Sequence, residues 1–236
     1  MISIVIPAFN EEDQLGECLE SLARQECGAP LEVIVVDNNS TDNTNQVVDA
    51  YKARLPVRVI GEPRQGRGQA RQTGFRAAQG DIILSTDADA VIPPAWINTM
   101  TAALAHGDCV AVAGSSCLKD GSRATRLLFN FFQPRLARGY RLLFGHYWLP
   151  GFNFAIRRDV YFNSGEFDAA MDALEDNDLA WRVRHCGIIG FVSTMPVAIS
   201  GRRFIHGFWW GMLEYVIAFI KYFCFKNKRI RWSNIR

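Results

Sequence analysis

Gly80-Asp81-Ile82-Ile83-Leu84-Ser85-Thr86-Asp87-Ala88-Asp89 runs an apolar segment straight into two carboxylates separated by one residue. A short apolar run bounded by turn residues reads as a buried strand. In an open α/β sheet, ligands collect beyond the carboxyl ends of the strands. Two aspartates raised at that rim repel each other unless a cation sits close by. Hard divalent ions such as Mg²⁺ or Mn²⁺ take oxygen ligands, typically one or two carboxylates together with the phosphates of a substrate. Aspartate is also common in solvated turns, so the pair gains meaning only from its surroundings.

Those surroundings repeat the pattern. Ile2-Ser3-Ile4-Val5-Ile6 ends in Pro7-Ala8-Phe9-Asn10-Glu11-Glu12, and Leu31-Glu32-Val33-Ile34-Val35-Val36 ends in Asp37-Asn38-Asn39-Ser40-Thr41-Asp42. Between them, apolar Leu15, Cys18, Leu19 and Leu22 recur at helical spacing. Val57–Ile60 reads as a third strand, Gly66-Arg67-Gly68 opens a helix, Asp81–Ser85 is the fourth strand, Pro93-Pro94 starts another helix and Cys109–Ser115 is a fifth strand. Ser40 or Thr41 is expected to cap the helix after the second strand. Strands alternating with helices imply βαβ units, a parallel sheet and right-handed crossovers. Three acidic loops then meet at one crevice. Further on, Asn153–Ile156 reads as a strand, Glu175 to Cys186 as a helix, and 189–193 and 197–200 as two more strands.

Pro7-Ala8-Phe9-Asn10-Glu11, Val35-Val36-Asp37-Asn38-Asn39-Ser40-Thr41-Asp42, Gly66-Arg67-Gly68-Gln69-Ala70-Arg71, Asp87-Ala88-Asp89 and Glu175-Asp176-Asn177-Asp178 occur in that order. The ordered set, over residues 1 to about 190, resembles glycosyltransferase family 2, inverting nucleotide-sugar transferases of the GT-A fold. The resemblance implies a GT-A-like α/β domain with a mixed, mostly parallel sheet flanked by helices. It places nucleotide-sugar contacts at Pro7, Ala8, Phe9, Glu11, Asp37, Gly68, Arg71, Asp87, Asn153 and Arg203, and the general base at Asp176 with Glu175 beside it. It implies a Mn²⁺ or Mg²⁺ cofactor held by Asp89, with Asp87 and His206 as further ligands, and a uridine diphosphate sugar as donor.

The residue chemistry agrees with these roles and leaves simpler ones open. Carboxylates accept hydrogen bonds from ribose or base, and a short apolar loop lies against a planar base. Glu11 also suits the start of a helix, as do the three carboxylates of 175–178. Gly66 also suits a turn, and His206 also suits a helix start. A nucleotidyltransferase would need a Gly-rich phosphate loop with Lys or Arg after the first strand, where this chain has Asn10-Glu11-Glu12. A non-catalytic module of the same fold is expected to have lost a metal or base carboxylate, and none is missing.

Charge and composition narrow the partners. A net charge of +2 over 236 residues, without helix-turn-helix or zinc-finger spacing, argues against nucleic acid. Six scattered cysteines without Cys-x-x-Cys suit reduced thiols. The amino terminus enters a strand without a signal-peptide pattern, so the expected location is cytoplasmic, peripheral at most at the inner face of the membrane. Residues 121–158 hold seven arginines, no Asp or Glu and many aromatics, and the tail from Lys226 carries five basic residues. These blocks divide the chain into 1–203, the transferase domain (1–120 for donor and metal, 121–203 for acceptor and base), and 204–236, an apolar amphipathic helix with a basic tail. Phe204–Phe225 is expected to lie in an anionic membrane interface or to pack as a core helix. Glu214 argues against a span. The expected acceptor is a saccharide, or a lipid-linked one met at that surface.

Overall fold

The computed structural model describes residues 1–205, 207–225 and 230. Its elements are β1 (Ile2–Ala8), α1 (Leu15–Ala23), β2 (Leu31–Asp37), α2 (Thr44–Asp49), β3 (Val57–Gly61), α3 (Arg67–Ala77), β4 (Ile82–Ser85), α4 (Trp96–Leu104), β5 (Cys109–Leu118), α5 (Arg123–Phe144), β6 (Phe154–Arg157), α6 (Arg158–Asn163), α7 (Glu175–Val183), β7 (Ile188–Ile199), a 3₁₀ turn (Arg202–Phe204) and α8 (Phe208–Phe225). The strands form one sheet in the order β3-β2-β1-β4-β6-β5-β7. β6 runs antiparallel to β4 and β5, while the other pairings are parallel.

The apolar runs are long because the sheet is covered on both faces. Ile4, Ile6, Val33, Val35 and Leu84 pack against Leu15 and Leu19 of α1, Val48 of α2 and Trp96 of α4. Val5, Ile34, Val36 and Ile83 face the other way, toward Phe75 of α3, Leu179 of α7 and Tyr161 of α6. Each strand thus alternates between two cores, as a period of two dictates. Ala8 pairs with Asp37, and Val5 with Ser85, so the loops after β1, β2 and β4 leave the sheet at the same rim.

Several boundaries differ from the sequence expectation. The two expected strands after residue 188 are one, β7, whose pairing with β5 shifts register between Gly114 and Ser116. The helix expected at Pro93 begins at Trp96, because Ala95 adopts a left-handed φ of 62°. Neither Ser40 nor Thr41 caps α2: its N-cap position is Asn43, without a side-chain cap, and Asp42 just before it accepts from the Thr44 N–H at 3.0 Å. Ser40 Oγ instead accepts from the Asn10 N–H, and Asn10 Oδ1 from the Thr41 N–H, latching the first two loops together. Asn10 and Asn39 take φ of 52° and 66°, a conformation asparagine tolerates better than most residues.

α5 is the basic aromatic block, a 22-residue helix capped by Ser122, whose Oγ accepts from the Thr125 N–H. α8 crosses it, with Phe208 stacked on Phe132 and Phe219 against Phe144. Tyr222 of α8 donates to Asp178 of α7 at 2.9 Å. No helix among the described residues is long and apolar enough to cross a membrane. Glu214 is half-buried and faces Arg203. The basic tail lies outside the described residues, Ile230 excepted.

Candidate active site

The three loops open into one cavity of about 870 Å³. Pro7, Ala8, Phe9 and Glu11 line it from β1, Asn38 from β2, Gly66 and Arg71 from the start of α3, and Asp87 and Asp89 from the end of β4. Glu175 and Asp176 enter from the opposite side, at the first turn of α7. Leu174 caps that helix with φ 59°, a conformation that costs a non-glycine residue about 1–3 kcal/mol and aims the helix start into the cavity.

Arg71 joins the two sides. Its side chain is 4% exposed; Nη2 pairs with Asp87 at 2.6 Å and Nη1 with Glu175. Gly151 closes over the guanidinium, and a Cβ there would meet Arg71 Nη2 at 2.3 Å. Burial opposes the Arg71 charge, but Asp87, Glu175 and Asp176 outweigh it and hold its pKa above the ordinary value. One cation does not satisfy three carboxylates. Burial, reinforced by Asp176, pushes Glu175 up to about 7 despite Arg71. Burial likewise raises Asp176, although the Gly151 and Asn177 N–H groups each donate to it at 2.8 Å.

Asp89 sits in the second charge cluster. Burial and then Asp87 raise it to about 6. Arg202 reaches it at 2.8 Å and Glu11 at 2.7 Å, from the 3₁₀ turn after β7. A partly desolvated carboxylate with a like charge beside it is relieved by a cation, and its donors are hard oxygens. Among the described residues no three His, Cys, Asp or Glu side chains converge on one point. The site therefore fits an ion that takes one or two protein carboxylates and completes its shell with substrate phosphate.

Other expected contact residues are engaged by protein partners or lie outside the cavity lining. Gly68 does not line the cavity: its N–H donates to Met171 O at 3.1 Å, and a Cβ would approach that carbonyl to 2.4 Å. It lets α3 pack on the 168–171 backbone. Asp37 also stays outside the cavity lining, accepting from the Ser40 N–H and the Asn45 amide. Asn153 is fully buried, accepting from Trp96 Nε1 and donating to Ser115 O, both at 2.8 Å. Arg203 lines the cavity but turns toward Glu214, 3.7 Å away, and Tyr215. Its neighbour Arg202 is the arginine that reaches the carboxylates. Asp178 is bound to Arg182 and Tyr222, so it anchors helices. His206 lies outside the described residues.

The sequence reading passed over Ser116 and Gln133. Both are buried in the cavity wall, and Ser116 Oγ and Gln133 Oε1 have no hydrogen-bond partner. A glutamine on the inner stripe of an otherwise aromatic helix was the available signal.

Comparison with known proteins agrees with this fold. The model of glycosyl transferase family 2 matches residues 3–163. Dolichol-phosphate mannosyltransferase of Pyrococcus furiosus is 29% identical over 202 residues, 85% of this chain and 53% of that protein. The chain thus spans about half of that relative's length. A mannosyltransferase from Pyrobaculum calidifontis, solved with GDP-Man and Mn²⁺, superimposes with a TM-score of 0.66 at 24% identity, covering 84% of this chain and 56% of that one. Residues 1–349 of TarS from S. aureus, solved with UDP-GlcNAc, give 0.64 at 22% identity, covering 83% and 57%. These structures share the fold.

Proposed function

Because the chain belongs to glycosyl transferase family 2, we propose that it moves a sugar from a nucleoside-diphosphate donor to an acceptor hydroxyl, with inversion at the anomeric carbon. The main support is that the Asp87/Asp89 pair and the Glu175/Asp176 pair line one cavity and are joined through Arg71. Pro7, Ala8 and Phe9 lie against the nucleoside, with Glu11 offering carboxylate oxygens to it, while Asn38 braces the wall by donating to Glu62 O and Arg64 O and accepting from the Gly66 N–H. Arg71 acts from behind, as a positioning residue that sets the distance between the two carboxylate pairs. Gly68, Asp37 and Asn153 support the walls.

Asp89, aided by Asp87, would hold Mn²⁺ or Mg²⁺; when bound, the ion supplies Lewis-acid stabilisation of the departing diphosphate. Asp176 takes the proton of the acceptor hydroxyl. That oxygen forms the new bond to the anomeric carbon on the face opposite the nucleotide, and the C–O bond to the diphosphate breaks with its electron pair leaving on phosphate. Arg202 lies near enough to Asp89 to meet that phosphate charge, and arginine suits phosphate geometry. The two solved relatives carry UDP and GDP sugars respectively, so the base is tested rather than assumed. A panel of UDP- and GDP-sugars with Mn²⁺, read by donor hydrolysis, tests the activity. Turnover of at least one donor is expected, and none with any donor counts against the reading.

We also propose that the enzyme works against an anionic membrane, where it meets a saccharide or lipid-linked acceptor. Leu142, Trp209 and Trp210 are 88%, 71% and 57% exposed, and Arg135, Arg138 and Arg141 are exposed on the same α5. Large exposed apolar side chains suit an interaction surface, and the arginines on the same helix as Leu142 suit anionic headgroups. Vesicle flotation should depend on anionic lipid and weaken when all three arginines are changed to Gln. Equal flotation of both proteins would refute membrane contact through this face.

A further inference from the structure

The catalytic cavity does not end at the carboxylates. Its lining extends onto α5 and α8 at an apolar cleft, with Phe132, Leu136 and Leu143 from the first helix and Met212, Val216 and Phe219 from the second; Leu136, Leu143 and Val216 are also exposed to solvent at its mouth. Resting on the transferase reading above, we propose that this cleft holds the hydrocarbon chain of the acceptor, whose hydroxylated head lies at Ser116 and Gln133 beside Asp176.

Three observations converge. The apolar walls and the reactive carboxylates line the same cavity, so a molecule with a polar head at Asp176 has an apolar path leading away from it. Ser116 and Gln133, 3% and 8% exposed, leave Oγ and Oε1 unpartnered in its wall. A buried carbonyl oxygen without a partner calls for a donor, and a hydroxyl supplies one where a bare hydrocarbon does not. Finally, Gly139 lines the cavity in the interior of α5, and a Cβ there would meet nothing within 4 Å. Glycine disfavours a helix interior relative to alanine. Here it widens the cleft.

Gly139 also provides the test. Gly139→Trp fills the cleft without touching the carboxylates, and Gly139→Leu does the same with a strong helix former should the larger side chain unfold the protein. The probes are methyl, octyl, decyl and dodecyl glucosides, each below its critical micelle concentration, titrated into the full chain by calorimetry. Wild type should bind more tightly with each added carbon, up to about fourfold per buried CH₂, and the methyl glucoside should bind weakly. Both Gly139 variants should lose the chain-length dependence. Chain-length dependence retained in a folded Gly139 variant would overturn the proposal, since the probes would then sit on the outer apolar face. So would equal competition by phosphatidylcholine, which has no free hydroxyl and would make the cleft a seat for bilayer lipid. UDP and GDP titrations with Mn²⁺ on the same samples separate the two readings. Nucleotide binding with a flat chain series overturns only the cleft proposal, whereas absent nucleotide binding overturns the transferase reading.

Discussion

On the proposed function, the cavity has a donor side and an acceptor side, and the two are built on opposite principles. On the donor side, short loops leave a buried sheet at one rim, and their polar groups are fixed by one another: Asn10 to Ser40 and Thr41, Arg71 to Asp87 and Glu175, Arg202 to Glu11 and Asp89. On the acceptor side, two helices face each other through rings and aliphatic chains, with exposed apolar residues along their outer edges. The first arrangement fixes charges in place and suits a donor whose diphosphate is constant. The second offers shape and apolar area with few directional contacts, and it suits a partner recognised by its chain. On the proposed function, the sheet would hold the reacting groups and the helices would select the acceptor.

Changes on the donor side should therefore be the most severe. Asp89→Asn exchanges the carboxylate for a neutral, weaker ligand and should lower metal-dependent turnover by about 10⁴-fold, as expected when several kcal/mol of charge stabilisation are lost. Steady-state rates with Mn²⁺ measure it, and a wild-type rate would remove Asp89 from the metal site. Asp176→Asn lies at the junction of the two sides and should lower kcat by about 10³-fold, within the range of general-base losses. Donor affinity should stay near wild type, the pattern of a group acting in the transition state. An equal loss of donor binding would move Asp176 out of the base role.

Smaller effects sharpen the contrast. Gly68→Ala drives a Cβ into the Met171 carbonyl, where backbone must shift, and should destabilise the fold by about 1–3 kcal/mol. A thermal melt that matches wild type would show that α3 does not need this close contact. The pH profile is subtler still. Asp176 acts as a base only when ionised, and its carboxyl, like that of Glu175 at about 7, is raised by burial. The rate should therefore climb with pH, with its acid limb above the ordinary aspartate value. The sign for stability is opposite to that of a salt-bridged carboxylate. The folded state holds the Glu175 proton more tightly than the unfolded chain, so this group's contribution falls as pH rises through about 7.

The donor side was the more legible in sequence, for physical reasons. Strand burial alternates with period two, turn residues end each run, and carboxylates that follow an apolar strand have little choice but to stand at its rim. The expected residues that the structure turns to other partners are those whose direction is set by tertiary contact. Arg202 and Arg203 are adjacent in a 3₁₀ turn and point to different partners, which no local pattern distinguishes. Asn153 follows a Gly-Phe pair near the site, yet Trp96, 57 residues away in sequence, claims its carbonyl oxygen. Asp37 ends a strand as Ser85 does, but its own loop supplies the donors that turn it aside. The helical side offered aromatic and basic composition only. That composition predicts an apolar helix; it does not reveal that Gly139 opens a cleft between α5 and α8.

The most direct measurement is calorimetric titration of UDP and GDP, with and without Mn²⁺, into wild type, Asp89→Asn and Asp176→Asn. The account predicts that one nucleotide binds wild type in a Mn²⁺-dependent manner, that Asp89→Asn loses the Mn²⁺ dependence, and that Asp176→Asn binds as wild type does. Binding indifferent to Mn²⁺, or equally strong with Asp89→Asn, would contradict it.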